Sequence, residues 1–192
     1  KNDEDYGRFL RKIPYKSKED GFVQVYADSP LDEESVSENA YLNLIKSAKY
    51  SVFISTPYLI ISDEMIRELN MAAQRGLDVR IVTLGVYDKR FIYGVTKSYY
   101  SSLVKSGIRI YKYSPGFLHQ KGLIVDGRAA IVGTVNFDYR SLYHNFEDAV
   151  LLYKFKAIDE MYEDFIKLLE VSEEVSEKYK DVRRSLNIIH II

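Results

Sequence analysis

His119-Gln-Lys121-Gly-Leu-Ile-Val-Asp126-Gly127-Arg-Ala-Ala-Ile-Val-Gly133-Thr134-Val-Asn136 is the stretch from which both fold and chemistry are read. Asp126-Gly127 between two apolar runs is a strong hairpin signal. Side chains two apart on a strand share a face. With a two-residue loop, Val125 pairs with Arg128 and His119 falls opposite Thr134. His119, Lys121, Thr134 and Asn136 are then expected on a single surface. A four-residue loop keeps that parity, whereas a three-residue loop without a bulge breaks it. Asp126 lies an odd number of residues from both His119 and Lys121, so strand parity turns it away, toward a structural role as a turn brace. Gly133 leaves room for a ligand to approach the backbone.

Outward from this hairpin, strand patterns alternate with helical ones. Phe22-Val-Gln-Val-Tyr26, Ser51-Val-Phe-Ile-Ser55, Asp78 to Thr83, Ile108 to Tyr113 and Asp148 to Tyr153 read as strands. Val36, Ala40, Tyr41, Leu44, Ile45 and Ala48 form an apolar stripe at helical spacing. Ser62 before Asp63 and Glu64 is a helix start, and Gly76 is a stop. Further helices are expected from about Phe91 to Lys105 and from about Ala157 to Glu174. The pattern predicts an α/β fold: an α-β-α sandwich whose mixed, mainly parallel sheet is flanked by helices, with an antiparallel portion near the end. Residues 1–20 read as a polar linker or arm, 21–156 as the domain, and 157–192 as a C-terminal helix and tail. No internal repeat or low-complexity tract interrupts this.

The 192 residues suffice for one domain. A net charge of about −1 gives no general basic field of the kind nucleic-acid binders carry. With no cysteine, disulfides and thiolate metal sites are excluded. The longest apolar stretch, near Val52 to Ile61, is too short and interrupted to span a bilayer. Seventeen tyrosines with no tryptophan would suit a surface meeting lipid headgroups. The start at Lys1, followed by a charged run, reads as a piece of a longer polypeptide.

The residue types in the hairpin suit phosphodiester chemistry. Neutral imidazole can attack phosphorus, and imidazolium can protonate a leaving alkoxide. Lysine supplies a point charge, and Thr and Asn supply hydrogen bonds as charge develops. His-x-Lys is a poor metal spacing, so neither metal nor cofactor is expected. A lone histidine in a strand is usually structural; the Gly-Thr-x-Asn continuation tips the balance toward function.

The string fits the HxKxxxxDxxxxxxGSxN pattern of the phospholipase D superfamily, with Thr134 in the serine position. The surrounding segments Tyr113 to His119, Asn136 to Glu147, Gly21 to Tyr26, Ser55 to Tyr58, Arg75 to Arg80 and Thr96 to Tyr100 together resemble the C-terminal half of the bacterial cardiolipin synthases. That resemblance implies a phospholipase D-like half-domain with two such motifs meeting at a pseudo-twofold. It implies a phosphohistidine intermediate, with phosphatidylglycerol and anionic membrane lipid as partners. It makes His119 one of two catalytic histidines and gives phosphate binding to Lys121, Thr134 and Asn136. It places Asp126 with the catalytic set and has Glu147 orient the His119 imidazole. Only one motif is present: neither His144 nor His190 has a lysine two residues on. The other half is expected from a missing N-terminal part of the same protein, or from a twofold-related copy. The resemblance implies the cytoplasmic side of a cell membrane as the place of action and gives no role to nucleic acid. The alternatives are a homodimeric single-motif nuclease and a catalytically silent membrane-docking module.

Overall fold

The computed structural model describes residues 14, 16–31, 34–86 and 90–180. Most of the expected N-terminal arm, the tail beyond 180 and His190 lie outside the described residues. In chain order the elements are β1 (Phe22–Asp28), α1 (Val36–Ser47), β2 (Ser51–Ser55), β3 (Leu59–Ile60), α2 (Asp63–Gln74), β4 (Asp78–Leu84), α3 (Arg90–Val104), β5 (Arg109–Tyr113), β6 (Gly122–Val125), β7 (Ala129–Gly133), β8 (Phe137–Asp138), α4 (Tyr139–Tyr143), β9 (Glu147–Tyr153), α5 (Ala157–Glu170), β10 (Ser172–Glu174) and α6 (Ser176–Lys180).

Helix α2 starts where its sequence says it should. The Ser62 hydroxyl accepts the Met65 N–H at 3.1 Å, and Asp63 and Glu64 occupy the positive end of the helix dipole. Met65, Leu69 and Ala72 bury its inner face, and Gly76 ends the helix with φ of 88°. Helix α5 begins at Ala157 as expected but stops at Glu170. The chain then turns into β10, which pairs antiparallel with β5 and covers the edge of the sheet.

The main sheet has the order β1-β9-β7-β6-β2-β4-β5-β10. Strands β2, β4 and β5 are neighbours in parallel, joined by crossovers through α2 and α3. The other ladders are antiparallel. The sheet is mixed, as the sequence implies. Its antiparallel portion is wider than the alternation of elements indicates, because the β6–β7 hairpin and β9 insert between β1 and β2 instead of lying at an edge.

Strand alternation builds one core on each face of the sheet. Val52, Ile54, Val79, Ile81, Leu123 and Ile131 face α1, α2 and α3. Phe53, Val82, Ile124, Ala130 and Leu152 face α5, where Phe53 stacks on Phe165 with ring centroids 5.0 Å apart. Among the described residues no helix is long and apolar enough to cross a membrane.

The hairpin is pinned at its turn. Asp126 has φ of 54°, a left-handed conformation that Asp tolerates better than most residues. Its carboxylate accepts the backbone N–H groups of Lys49 (2.9 Å), Tyr50 (2.8 Å) and Ser51 (2.8 Å). One side chain thus ties the hairpin to the end of α1 and the start of β2. Asp126→Ala is expected to lower unfolding stability by about 2 kcal/mol, since hydrogen bonds to a charged group are lost at a partly exposed site. Urea denaturation checks this, and a loss within experimental error would contradict the bracing role.

Candidate functional site

The ladder between β6 and β7 ends at Gly122 and Gly133, and the chemistry-bearing residues lie just beyond. His119 and Lys121 precede β6, while Thr134 and Asn136 follow β7. The hairpin loop contains three residues, Asp126–Arg128, with Val125 opposite Ala129 and Gly122 opposite Val132. Continued outward, this register would put Thr134 and Asn136 on the face opposite His119 and Lys121. They nevertheless meet: one open cleft of about 330 Å³ is lined by His119, Lys121, Gly133, Thr134 and Asn136. The sequence grouping holds, but strand parity is not its cause. Outside the ladder the backbone is free of alternation and the two loop segments converge. Asp126 stands apart at the turn of the same hairpin.

Gly133 makes the convergence possible. A Cβ there would lie 2.2 Å from the Asp148 carbonyl oxygen and 2.7 Å from the Ala149 Cα. Only glycine allows β7 to press this closely on β9. At that approach the Thr134 N–H donates to the Asp148 oxygen at 2.9 Å. The Asp148 N–H donates to the Thr134 hydroxyl at 3.0 Å. That hydroxyl in turn donates to Glu147 Oε2.

Glu147 is buried, and its Oε1 accepts the Asn145 amide at 3.1 Å. Among the described residues it makes no hydrogen bond to His119. Its hydrogen bonds go to Thr134 and Asn145, where an orienting contact to His119 was expected. His119 is exposed, with its ring tilted against Phe117 at 5.8 Å.

Lys121 is buried and its Nζ donates to the His119 carbonyl at 2.7 Å. Burial lowers the Lys121 pKa, with the negative charges of Glu147 and Asp138 opposing the shift. Asp138 is buried as well and caps α4, accepting the Ser141 N–H at 2.9 Å. Burial pushes its pKa up, against hydrogen bonds from Ser141 and Asn136. Asn136 donates to the Ser141 hydroxyl at 3.2 Å. Its Oδ1 is buried with no partner among the described residues.

A supporting residue that sequence reasoning passed over is Thr56, fully buried on the loop between β2 and β3. Its hydroxyl donates to the Tyr58 carbonyl at 2.8 Å and accepts the Phe137 N–H at 3.1 Å. With the parallel β3–β8 pair, it fixes the backbone next to Asn136. A second cleft, of about 390 Å³, was also missed; it shares Asn136 and includes Tyr58, Tyr139, Arg140 and His144 in its wall. The sequence signal for it was Asp138-x-Arg140-Ser141, a capped helix start directly after Asn136. Among the described residues no group of three or more His, Cys, Asp or Glu side chains is arranged to hold a metal ion.

Comparison with known proteins gives a consistent picture. Residues 41–169 match the family described as cardiolipin synthase, PLD-like domain. An uncharacterized protein of Streptococcus mutans is 40% identical over 174 residues, which cover 91% of this chain and 38% of that protein. A cardiolipin synthase of Halalkalibacterium halodurans is 37% identical over 158 residues, covering 82% of this chain and 31% of that enzyme. The chain thus spans about a third of the length of these relatives. Among solved structures, a phospholipase D family member, Nuc from Salmonella typhimurium, superposes with a TM-score of 0.69 at 24% identity. That match covers 80% of this chain and 97% of Nuc, and it supports the α/β fold with its mixed sheet.

The buried Lys121 gives a test of the site's energetics. A lysine whose folded pKa is lowered costs the fold stability at pH below that value, and the cost lifts as pH rises through it. Lys121→Met is therefore expected to raise the urea midpoint at pH 7, with the gain shrinking toward pH 10. A lower midpoint at pH 7 would show that the ammonium supports the fold. Gly133→Ala is expected to lose about 1–3 kcal/mol through overpacking against β9, measured by the same titration. An unchanged midpoint would contradict the close approach.

Proposed function

The chain belongs to the family of cardiolipin synthase PLD-like domains, and on that premise we propose that it carries one half of a phosphatidyltransferase site. The observation that carries this reading is the single cleft where an exposed imidazole, a buried ammonium, a hydroxyl and an amide converge. Such a set suits a tetrahedral phosphodiester at the end of a lipid headgroup.

In the proposed reaction, one histidine attacks the phosphorus of phosphatidylglycerol. A nitrogen–phosphorus bond forms, the bond to the terminal glycerol oxygen breaks, and the second histidine gives that oxygen its proton. The free hydroxyl of a second phosphatidylglycerol then attacks the phosphohistidine. The nitrogen–phosphorus bond breaks and the hydroxyl proton returns to the second histidine. The products are cardiolipin and glycerol. His119 is one of the two histidines. The other comes from a second PLD-like half, either in the same polypeptide or in a twofold-related copy. That relatives of this chain are about two and a half times its length agrees with the first arrangement.

Lys121 is the cation for the non-bridging oxygens. Burial holds it in place and strengthens its field at the phosphate. Asn136 is the neutral donor. Its amide nitrogen donates to the Ser141 hydroxyl at 3.2 Å, which fixes the side chain in the wall of the cleft. The Thr134 hydroxyl, committed to Glu147, positions the loop that carries Asn136. Glu147 thus serves the site through Thr134 and balances the charge on Lys121. Exposed Phe117, its ring 5.8 Å from that of His119, gives the site an apolar edge suited to a lipid surface on the cytoplasmic side of a cell membrane.

The test uses the polypeptide that unites this chain with its second half, on phosphatidylglycerol vesicles. His119→Ala and Lys121→Ala are each expected to lower cardiolipin formation by about a thousandfold or more, as removal of a nucleophile or transition-state charge does. EDTA is expected to leave the rate unchanged. Plasmid nicking in EDTA that depends on His119, with no lipid product, would assign the site to nucleic acid instead. Vesicle binding without turnover would assign it to docking.

A further inference from the structure

Arg140 stands next to the proposed reaction cleft, and no charged partner for it lies among the described residues. It is the second residue of α4, four residues after Asn136, and is exposed. Among the described residues its guanidinium makes no ion pair and donates no hydrogen bond. An idle arginine on an open surface would mean little. This one belongs to the wall of the second cleft, of about 390 Å³, which shares Asn136 with the cleft of His119 and Lys121. The two clefts are therefore neighbours across one side chain.

The walls of the second cleft have two characters. Tyr58, Ile60 and Ile92 give it an apolar side, while Arg140, His144 and Asn145 give it donors. The carboxylate that also borders it, Asp138, is buried, capped by the Ser141 N–H, and has its pKa raised by burial. An anion at Arg140 thus meets a planar fork of N–H groups and a carboxylate already engaged below. The guanidinium fork matches two oxygens of a phosphate. The apolar side matches glycerol carbons and the first carbons of an ester chain.

The phosphatidyl-transfer reading, on which this inference rests, leaves one need unmet by the first cleft. The acceptor is itself a phosphodiester, with its phosphate one glycerol away from the attacking hydroxyl. Lys121 and Asn136 are taken up by the phosphate of the covalent intermediate. We propose that the Arg140 cleft is the acceptor subsite, holding the phosphate of a second anionic glycerophospholipid so that its terminal hydroxyl faces the phosphate at His119. Binding the acceptor there orients its hydroxyl and gives it an advantage over small neutral alcohols and water, which make no such contact.

Product partitioning tests this, because two acceptors compete for one intermediate and steps on the donor side cancel. The polypeptide uniting both halves is incubated with phosphatidylglycerol vesicles at a fixed ethanol concentration. Cardiolipin, phosphatidylethanol and released glycerol are measured. Arg140→Gln is expected to lower the cardiolipin to phosphatidylethanol ratio about tenfold or more, a size typical of a lost charge-assisted hydrogen bond, while glycerol release with ethanol present stays within about twofold. Arg140→Lys is expected to recover part of the ratio through its remaining charge. An unchanged ratio in Arg140→Gln would overturn the proposal, whether or not glycerol release falls, since it would place Arg140 on the donor side or outside the reaction. A wild-type protein that forms neither lipid product would remove the transfer reading itself, and the acceptor subsite with it. That outcome is distinct from altered partitioning.

Discussion

The contact between β7 and β9 at Gly133 is the constraint on which the site depends. Because residue 133 has no side chain, the Asp148 carbonyl and the Ala149 backbone occupy the space where a Cβ would stand. The ladder can then hand over to Thr134, which exchanges hydrogen bonds with the Asp148 backbone and reaches Glu147. From there the chain runs through Val135, fully buried, to Asn136, and Thr56 fixes the following residue. The position of the Asn136 amide beside Lys121 follows from this sequence of contacts. At the other end of the hairpin, Asp126 anchors the turn to the loop before β2. The cleft is thus suspended between two backbone constraints, each set by one residue. It lies beside the C-terminal end of β2, where Ser55 pairs with Gly122. Here parallel pairing gives way to antiparallel, a place in a sheet where loops diverge and leave a crevice.

The burial at this end of the sheet is costly. Lys121, Asp138 and Glu147 are all nearly removed from solvent, and Asn136 keeps an acceptor without a partner among the described residues. A domain built for stability alone would fill such positions with apolar side chains. The negative charges of Glu147 and Asp138 oppose the effect of burial on Lys121, and hydrogen bonds oppose it on Asp138, which reduces the penalty without removing it. This is the pattern of a site preorganised for an anion and held together by the rest of the fold.

Much of the scaffold was legible in the sequence, and the reasons are local. Ser62 with Asp63 and Glu64 announced α2, and Gly76 its end. The unbroken apolar run Val52-Phe53-Ile54 of β2 announced a strand of buried type. The odd spacing of Asp126 announced a brace. The misreadings share one cause, the dependence of geometry on distant partners. The loop length of the hairpin is set by Lys154, whose N–H takes the Arg128 carbonyl, and by Ser51, whose carbonyl takes the Asp126 N–H. Neither lies near the turn in sequence. The end of α5 is fixed by the open edge of β5. The partner of Glu147 is Thr134 and not His119, because β9 brings its first residue alongside the end of β7. The Arg140 cleft forms where the loop after β2, α3 and α4 meet, and no single stretch of sequence contains it.

The central claim is that residues from both ends of the hairpin, and not the hairpin face, form one phosphate cleft. Nuclear magnetic resonance of the isotope-labelled chain titrated with glycerophosphoglycerol, the soluble headgroup of the proposed donor, tests it most directly. Saturable shifts are predicted for the His119 imidazole, the Lys121 ammonium and the Asn136 side-chain amide together, and these are predicted to vanish in Lys121→Ala. Saturable binding that leaves those three groups unmoved, or that persists unchanged in Lys121→Ala, would contradict the account.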